Sequence, residues 1–163
     1  MPIKVKYTAA IKYLKGTFSG IQSEFRKQAE KEFGKELNEK IMAGTSPVKG
    51  QGRFPEYSVS YKLAIQTRKK YKDLGKRLRP VNLNLKGDLL DSQRVSISDK
   101  DGVKVAYTDK KAVWHNTEGA GKSKVLRRML PTNKGEEFSQ TLMRTLKKLA
   151  ATAAAKIIGR SNQ

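Results

Sequence analysis

The chain has 163 residues, of which 37% are apolar and 31% charged, and 35 Lys and Arg against 15 Asp and Glu leave a net charge of +20. That length suits one domain with a single modest core, and the charge calls for a polyanionic partner, nucleic acid or an acidic protein surface. The absence of cysteine rules out disulfides and thiolate metal sites, and no apolar run nears the ~18 residues of a membrane span.

At the N-terminus, Ile3, Val5 and Tyr7 alternate with Pro2, Lys4 and Lys6, a pattern for a short strand or an extended arm over 1–17. Lysines interrupt this stretch, so it lacks the apolar core of a secretory signal, and a cytoplasmic chain is expected. Next, Ile21, Phe25, Ala29, Phe33, Leu37 and Ile41 recur every four residues, predicting an amphipathic helix of about six turns. Ser19 and Gln22 fit a capping box, Gly44 a C-terminal stop, and Gly34 weakens the middle.

The breakers in TSPVKGQGRFP predict a loop over 45–58. After Ser58, Val59, Leu63 and Ile65 mark a short helix ending near Gly75, and Arg79-Pro80 breaks the chain. Leu83, Leu85, Leu89 and Leu90 around Gly87 form an apolar turn or short helix, with Asp88 and Asp91 as its caps. Val95 and Ile97, then Val103, Val105 and Tyr107, alternate on either side of Asp99–Gly102, which predicts an antiparallel hairpin. Val125–Leu130 is apolar and basic and ends at Pro131. Gly135 opens a last amphipathic helix with Phe138, Leu142, Leu146, Leu149, Ala153 and Ile157 on one face, stopped by Gly159. The outline is a single α+β domain over 1–163: a small antiparallel sheet with a β-hairpin core, packed with a long N-terminal and a C-terminal amphipathic helix.

Catalytic readings find little support. NTEGAGKS (116–123) ends like a nucleotide-binding loop, but Asn116 stands where that loop's first glycine belongs. Pro131 then leaves too short a run for the helix whose N-terminus would hold phosphate. His115 is the single histidine and reads as a partly exposed loop residue beside Trp114. Asp99 and Asp101 belong to a turn, and no serine lies in a nucleophile elbow. No enzyme, cofactor or metal is expected.

The basic residues are regional. From Lys62 to Lys86 there are nine basic side chains and one acidic, Asp73, and after Glu137 there are five basic and none acidic. Arg68, Lys69, Lys70, Lys72, Lys76, Arg77 and Arg79 interleave with Tyr61 and Tyr71, a mix for phosphate contacts with some base stacking. Lys122, Lys124, Arg127 and Arg128 form a second candidate contact group for DNA or a protein partner. A solvated face that keeps the chain dissolved is the competing reading. No base-reading module is present, so any nucleic acid is met by charge alone.

Three stretches carry a family resemblance. GQGRFPEYSVSYKLAI (50–65) has a Gly-x-aromatic-x-x-Tyr-Ser-x-x-Tyr form. LNLKGDLLDSQRVSI (83–97) leads with Leu-x-x-x-Gly-x-Leu-x-x-Ser into a strand. Residues 105–131 run from a strand through His115-Asn116 and the glycines to Arg-x-Met-Leu-Pro-like RRMLP. In this order they resemble the minor tail, or virion-morphogenesis, proteins of long-tailed bacteriophages, among them the tail-completion proteins of lambda- and Mu-like phages. The likeness spans about 46–150; Thr108–Lys111 departs from it with inserted charges, and Met1–Thr17 has no counterpart. The resemblance implies a non-enzymatic virion protein of the neck or tail, a homo-oligomeric ring between head connector and tail tube around the DNA channel. Its implied partners are head-completion or connector proteins and tail-terminator or tail-tube proteins, with genomic DNA met by charge and no membrane. Its location would be the virion, and the host cytoplasm during assembly. A tail-terminator subunit and a stand-alone basic DNA-binding protein are the alternatives.

Overall fold

The computed structural model describes residues 3–7, 23–83, 86–98 and 102–161. The elements in order are β1 (Ile3–Tyr7), α1 (Ser23–Met42), α2 (Val59–Thr67), α3 (Lys69–Asp73), α4 (Asp88–Asp91), β2 (Gln93–Ser98), β3 (Gly102–Tyr107), α5 (Lys111–Val113), a π-helical turn (Trp114–Glu118) and α6 (Gln140–Ser161). This is the α+β class that the periodicities predict, with a long helix before the sheet's hairpin and another after it.

The sheet has three antiparallel strands in the order β1-β3-β2. Ile3–Tyr7 is therefore a strand, with Val5 opposite Val105, rather than a free arm. In the hairpin, Val95 lies opposite Val105 and Ile97 opposite Val103, so these side chains share one face. That face is the core side: Ile97, Val103, Val105 and Tyr107 are buried, while Arg94, Ser96 and Lys104 belong to the other, wetter face. Gly102 pairs with Ser98 as the first residue of β3. The predicted turn residues Asp99 and Asp101, Leu85 and the capping box of Ser19 and Gln22 lie outside the described residues.

Helix α1 covers the sheet with Ala29, Phe33, Leu37 and Ile41, each at most 1% exposed. It ends as Gly44 predicts: Gly44 takes φ 74°, its N–H donates to Ile41 O at 3.0 Å, and Thr45 N–H donates to Lys40 O at 3.0 Å. The helix sits close to β2. A Cβ built on Gly34 would lie 2.8 Å from Gln93 Oε1 and 3.3 Å from Val95 Cγ2, so the glycine that weakens the helix is the one that lets it dock. Strand β2 is an edge strand, and its Ile97 N–H donates to Glu30 Oε1 of α1 at 2.7 Å. The helix thereby satisfies an edge donor that a neighbouring strand would otherwise claim. Phe33 of α1 meets Phe138 edge-to-face at 5.5 Å, and α6 adds Leu142, Leu146 and Ala150 to the same core.

Several expectations need correction. Val59 and Leu63 are 83% and 58% exposed; the inward side of α2 is Ile65, with Tyr61 and Ala64 packed against the core. The predicted single helix to Gly75 is broken at Arg68, whose extended backbone (φ −82°, ψ 124°) separates α2 from α3. Residues 45–58 are irregular as expected but firmly held: Ser46, Val48, Phe54 and Tyr57 are buried, and Val48 bridges Phe138. Main-chain bonds from Phe54 N to Gly44 O and from Ser139 N to Pro47 O, both 2.7 Å, give this loop order without a partner. Asp88 pairs with Lys111 at 3.3 Å, and Gly87, at φ 93°, takes the N-cap position of α4 in its place. Helix α6 starts at Gln140, beyond Gly135, and runs through Gly159 to Ser161. One helical glycine costs only about 1 kcal/mol, which does not end a 22-residue helix.

Candidate nucleic-acid interface

The site begins with three tyrosines. Tyr57 and Tyr61 pack edge-to-face at 5.1 Å, and Tyr61 and Tyr71 at 5.5 Å. Tyr57 and Tyr71 are buried, and the Tyr57 hydroxyl donates to Asn82 O at 2.5 Å. Tyr71 is buried against Tyr61 and presents no face for the base stacking expected of it, while Tyr61 is half-buried. Their role is to fasten α2 and α3 to the body. Burial pushes the Tyr57 and Tyr61 hydroxyls upward, so both stay protonated at neutral pH.

This anchoring sorts the basic residues into two kinds. Arg127 is 5% exposed: its Nε donates to Pro55 O at 3.2 Å, its Nη2 to Glu56 O at 3.0 Å, and its guanidinium stands 5.4 Å from the Tyr57 ring centre. It clamps residues 55–57 to the segment 72 positions later and is not a surface contact. Arg128 is also turned inward, with Nη1 on Asn116 O at 3.2 Å and Nη2 on Glu136 Oε1 at 2.5 Å. Burial works against Glu136 ionising, but bonds from Asn133, Thr132 and Arg128 outweigh it and hold the carboxyl below its ordinary range. Lys76 donates to Asn82 O and Oδ1 at 3.1 and 2.9 Å and stands 5.2 Å from the Tyr57 ring centre. Burial, then the nearby Arg127, lowers its pKa to about 8. Arg79 and Lys62 both pair with Glu56. These bonds to Lys62 and Arg79 hold the Glu56 carboxyl below its ordinary value.

The second kind is presented to solvent. Arg68, Lys69, Lys70, Lys72 and Arg77 are exposed around α3, as are Lys122 and Lys124 in the glycine loop. Within α3 only Tyr71 points inward, so the lysines project from a helix pinned by one buried ring. Lys70 Nζ lies 5.1 Å from that ring's centre. Lys69 and Lys72, three apart, and Arg68 and Lys72, four apart, set like charges together, each pair opposing folding by about 0.2–0.5 kcal/mol.

The glycine loop is a closed hairpin. Ala120 and Val125 exchange main-chain bonds of 2.9 and 3.1 Å, and Lys124 N–H donates to Gly121 O at 3.2 Å. Gly119 has φ 83°, and a Cβ there would lie 2.2 Å from Lys124 O. Extended chain, not a helix, follows Val125, so Lys122 and Ser123 do not precede a helix N-terminus. The turn before the loop is held from within. Asn116 is fully buried; its Oδ1 accepts Met129 N–H and Leu130 N–H, both at 2.7 Å, and its Nδ2 donates to Thr132 Oγ1 at 3.2 Å. His115 is half-buried, in keeping with the partly exposed residue expected beside Trp114. Burial, then Arg127 and Lys76, lowers its pKa to about 4, so it is neutral at physiological pH.

Tyr57, Glu56, Asn116 and Glu136 decide which cations are free. The sequence marked Tyr57 and Asn116 only as members of the resembling stretches, with no hint of this role, and Glu56 and Glu136 carried no signal. Among the described residues, no three His, Asp or Glu side chains gather as a metal site requires, and no helix is long and apolar enough to cross a membrane. The chain matches no family model, no curated protein and no solved structure among those with which it was compared.

Proposed function

We propose that this chain is a non-enzymatic structural subunit of a tailed-phage virion, forming a neck or tail-completion ring that joins head connector to tail tube around DNA. The observation that supports this reading best is how the three resembling stretches interlock. Arg127 of the third holds Pro55 and Glu56 of the first, and Gln93 Nε2 of the second donates to the Tyr107 hydroxyl of the third at 2.9 Å. Within the third, Asn116 grips Met129 and Leu130. Residue types scattered over the sequence thus serve one shared knot, as a family signature would. The surface around that knot fits an assembly subunit: exposed Val59 and Leu63, one turn apart on α2, offer an apolar strip, and the cations near α3 offer a positive face.

Negative-stain electron microscopy with native mass spectrometry of the purified chain tests the reading. Closed rings of identical subunits, or their assembly on isolated connectors or tails, is the expected result. A strict monomer that never joins connectors or tails and binds duplex tightly would favour the stand-alone basic DNA-binding protein.

A further inference from the structure

We infer that α3 with its flanks, Arg68, Lys69, Lys70, Lys72 and Arg77, is a face for the phosphate backbone of duplex nucleic acid, read without sequence preference. This deepens the ring proposal and rests on it only for the source of the duplex, the packaged genome.

Three observations favour nucleic acid over an acidic protein. First, the cations are available: among the described residues none of the five forms an ion pair, whereas Arg79, though exposed, is paired with Glu56, and Arg127 and Arg128 are turned inward onto the chain's own acceptors. Second, the face is mostly cationic: α3 itself exposes three lysines and no apolar side chain, and the apolar group at its C-terminal edge, Leu74, is 39% exposed. Protein interfaces deplete lysine and place apolar or aromatic groups at their centre, whereas lysine serves phosphates as a mobile point charge. Third, the charge is concentrated: four cations from Arg68 to Lys72 lie along about 7 Å, a linear density near the one charge per about 1.7 Å of axis that the two strands of duplex DNA carry together. Tyr71, fixed against Tyr61, keeps this platform from swinging away under load.

The test is fluorescence anisotropy of a short labelled duplex with the full chain, at salt between about 50 and 200 mM. The wild type is compared with a Lys69→Gln/Lys70→Gln/Lys72→Gln variant and with the corresponding triple Lys→Arg variant. With five phosphate contacts, log affinity should fall against log salt with a slope of about −4.5, and the Gln variant should lose about 2.7 of that slope. Its affinity should drop at least tenfold while the Arg variant keeps most of its binding. Unchanged affinity and slope in the Gln variant overturns the inference. Displacement of duplex by polyglutamate at equal charge concentration also overturns it, in favour of an acidic-protein surface. Mass photometry on the same samples separates the two proposals. Rings with no change of slope in the Gln variant sink only this inference, and a lost slope in a chain that never forms rings sinks only the ring.

Discussion

Gly34 of α1 and Gln93 of β2 approach so closely that a Cβ on the glycine would stand 2.8 Å from Gln93 Oε1. The Gln93 amide cannot simply swing away, because its Nε2 donates to Asn38 Oδ1 and to the Tyr107 hydroxyl, each at 2.9 Å. In an exposed helix, Gly→Ala would gain about 1 kcal/mol. Here Gly34→Ala should cost about 1 kcal/mol net, because overpacking of about 1–3 kcal/mol outweighs that gain. Urea unfolding reads the difference, and the cost should shrink in a Gln93→Ala background, where the nearest obstacle is gone. A stabilised single variant would mean that helix and strand stand farther apart.

Asn116 supplies one oxygen to two buried main-chain donors, Met129 and Leu130. Asn116→Ala leaves both unsatisfied and should cost about 2–4 kcal/mol. Asn116→Leu restores the volume but not the acceptor, so it should cost nearly as much. If Leu rescued stability to within about 1 kcal/mol, the site would be one of packing rather than hydrogen bonding.

The two glycines of the closed hairpin separate space from backbone angle. Gly121 has φ 72°, and a Cβ added there would meet nothing within 4 Å, so Gly121→Ala should cost only the strain of a left-handed residue, about 1 kcal/mol. Gly119→Ala adds a collision with Lys124 main chain at 2.2 Å and should cost at least about 2 kcal/mol more. Lys122→Ala should change stability by less than about 0.5 kcal/mol, since the side chain is exposed. Chemical denaturation of the three variants gives the order directly, and equal costs for the two glycine variants would contradict the hairpin's geometry.

These positions mark how far the sequence could be read. Helix α1 was legible because Ala29, Phe33, Leu37 and Ile41 repeat at one spacing and face one core, and β2 and β3 because alternation at period two survives in a half-buried sheet. Helix α2 misled, since its conspicuous apolar residues Val59 and Leu63 face outward while tyrosines, apolar in body and polar at the tip, do the anchoring. The basic site was legible as an amount of charge but not as an arrangement. Whether an arginine is engaged or free depends on carbonyls and carboxylates far away in sequence, as with Arg127 and Pro55, 72 positions apart. Neither periodicity nor local composition carries that information.

The half-buried His115 gives the fold a specific response to acid. Burial, Arg127, Lys76 and Lys111 disfavour its charged form and only Asp109 favours it, so its pKa falls from an ordinary 6.5 to about 4. The unfolded chain therefore binds the proton more readily than the folded one between these values, and stability must fall as pH falls through that window. A difference of that size is worth up to about 3 kcal/mol once pH reaches 4. Glu56 and Glu136, whose carboxyls are held below their ordinary 4.5, lose their contributions only as pH drops further through their folded values. The histidine thus acts first on acidification. His115→Phe keeps a ring of similar size with no proton to gain, so its stability should stay nearly level from pH 6.5 to 4.5 while the wild type declines. Urea midpoints taken across this range decide the matter: parallel curves for the two proteins would show that His115 is solvated and that another group carries the acid response.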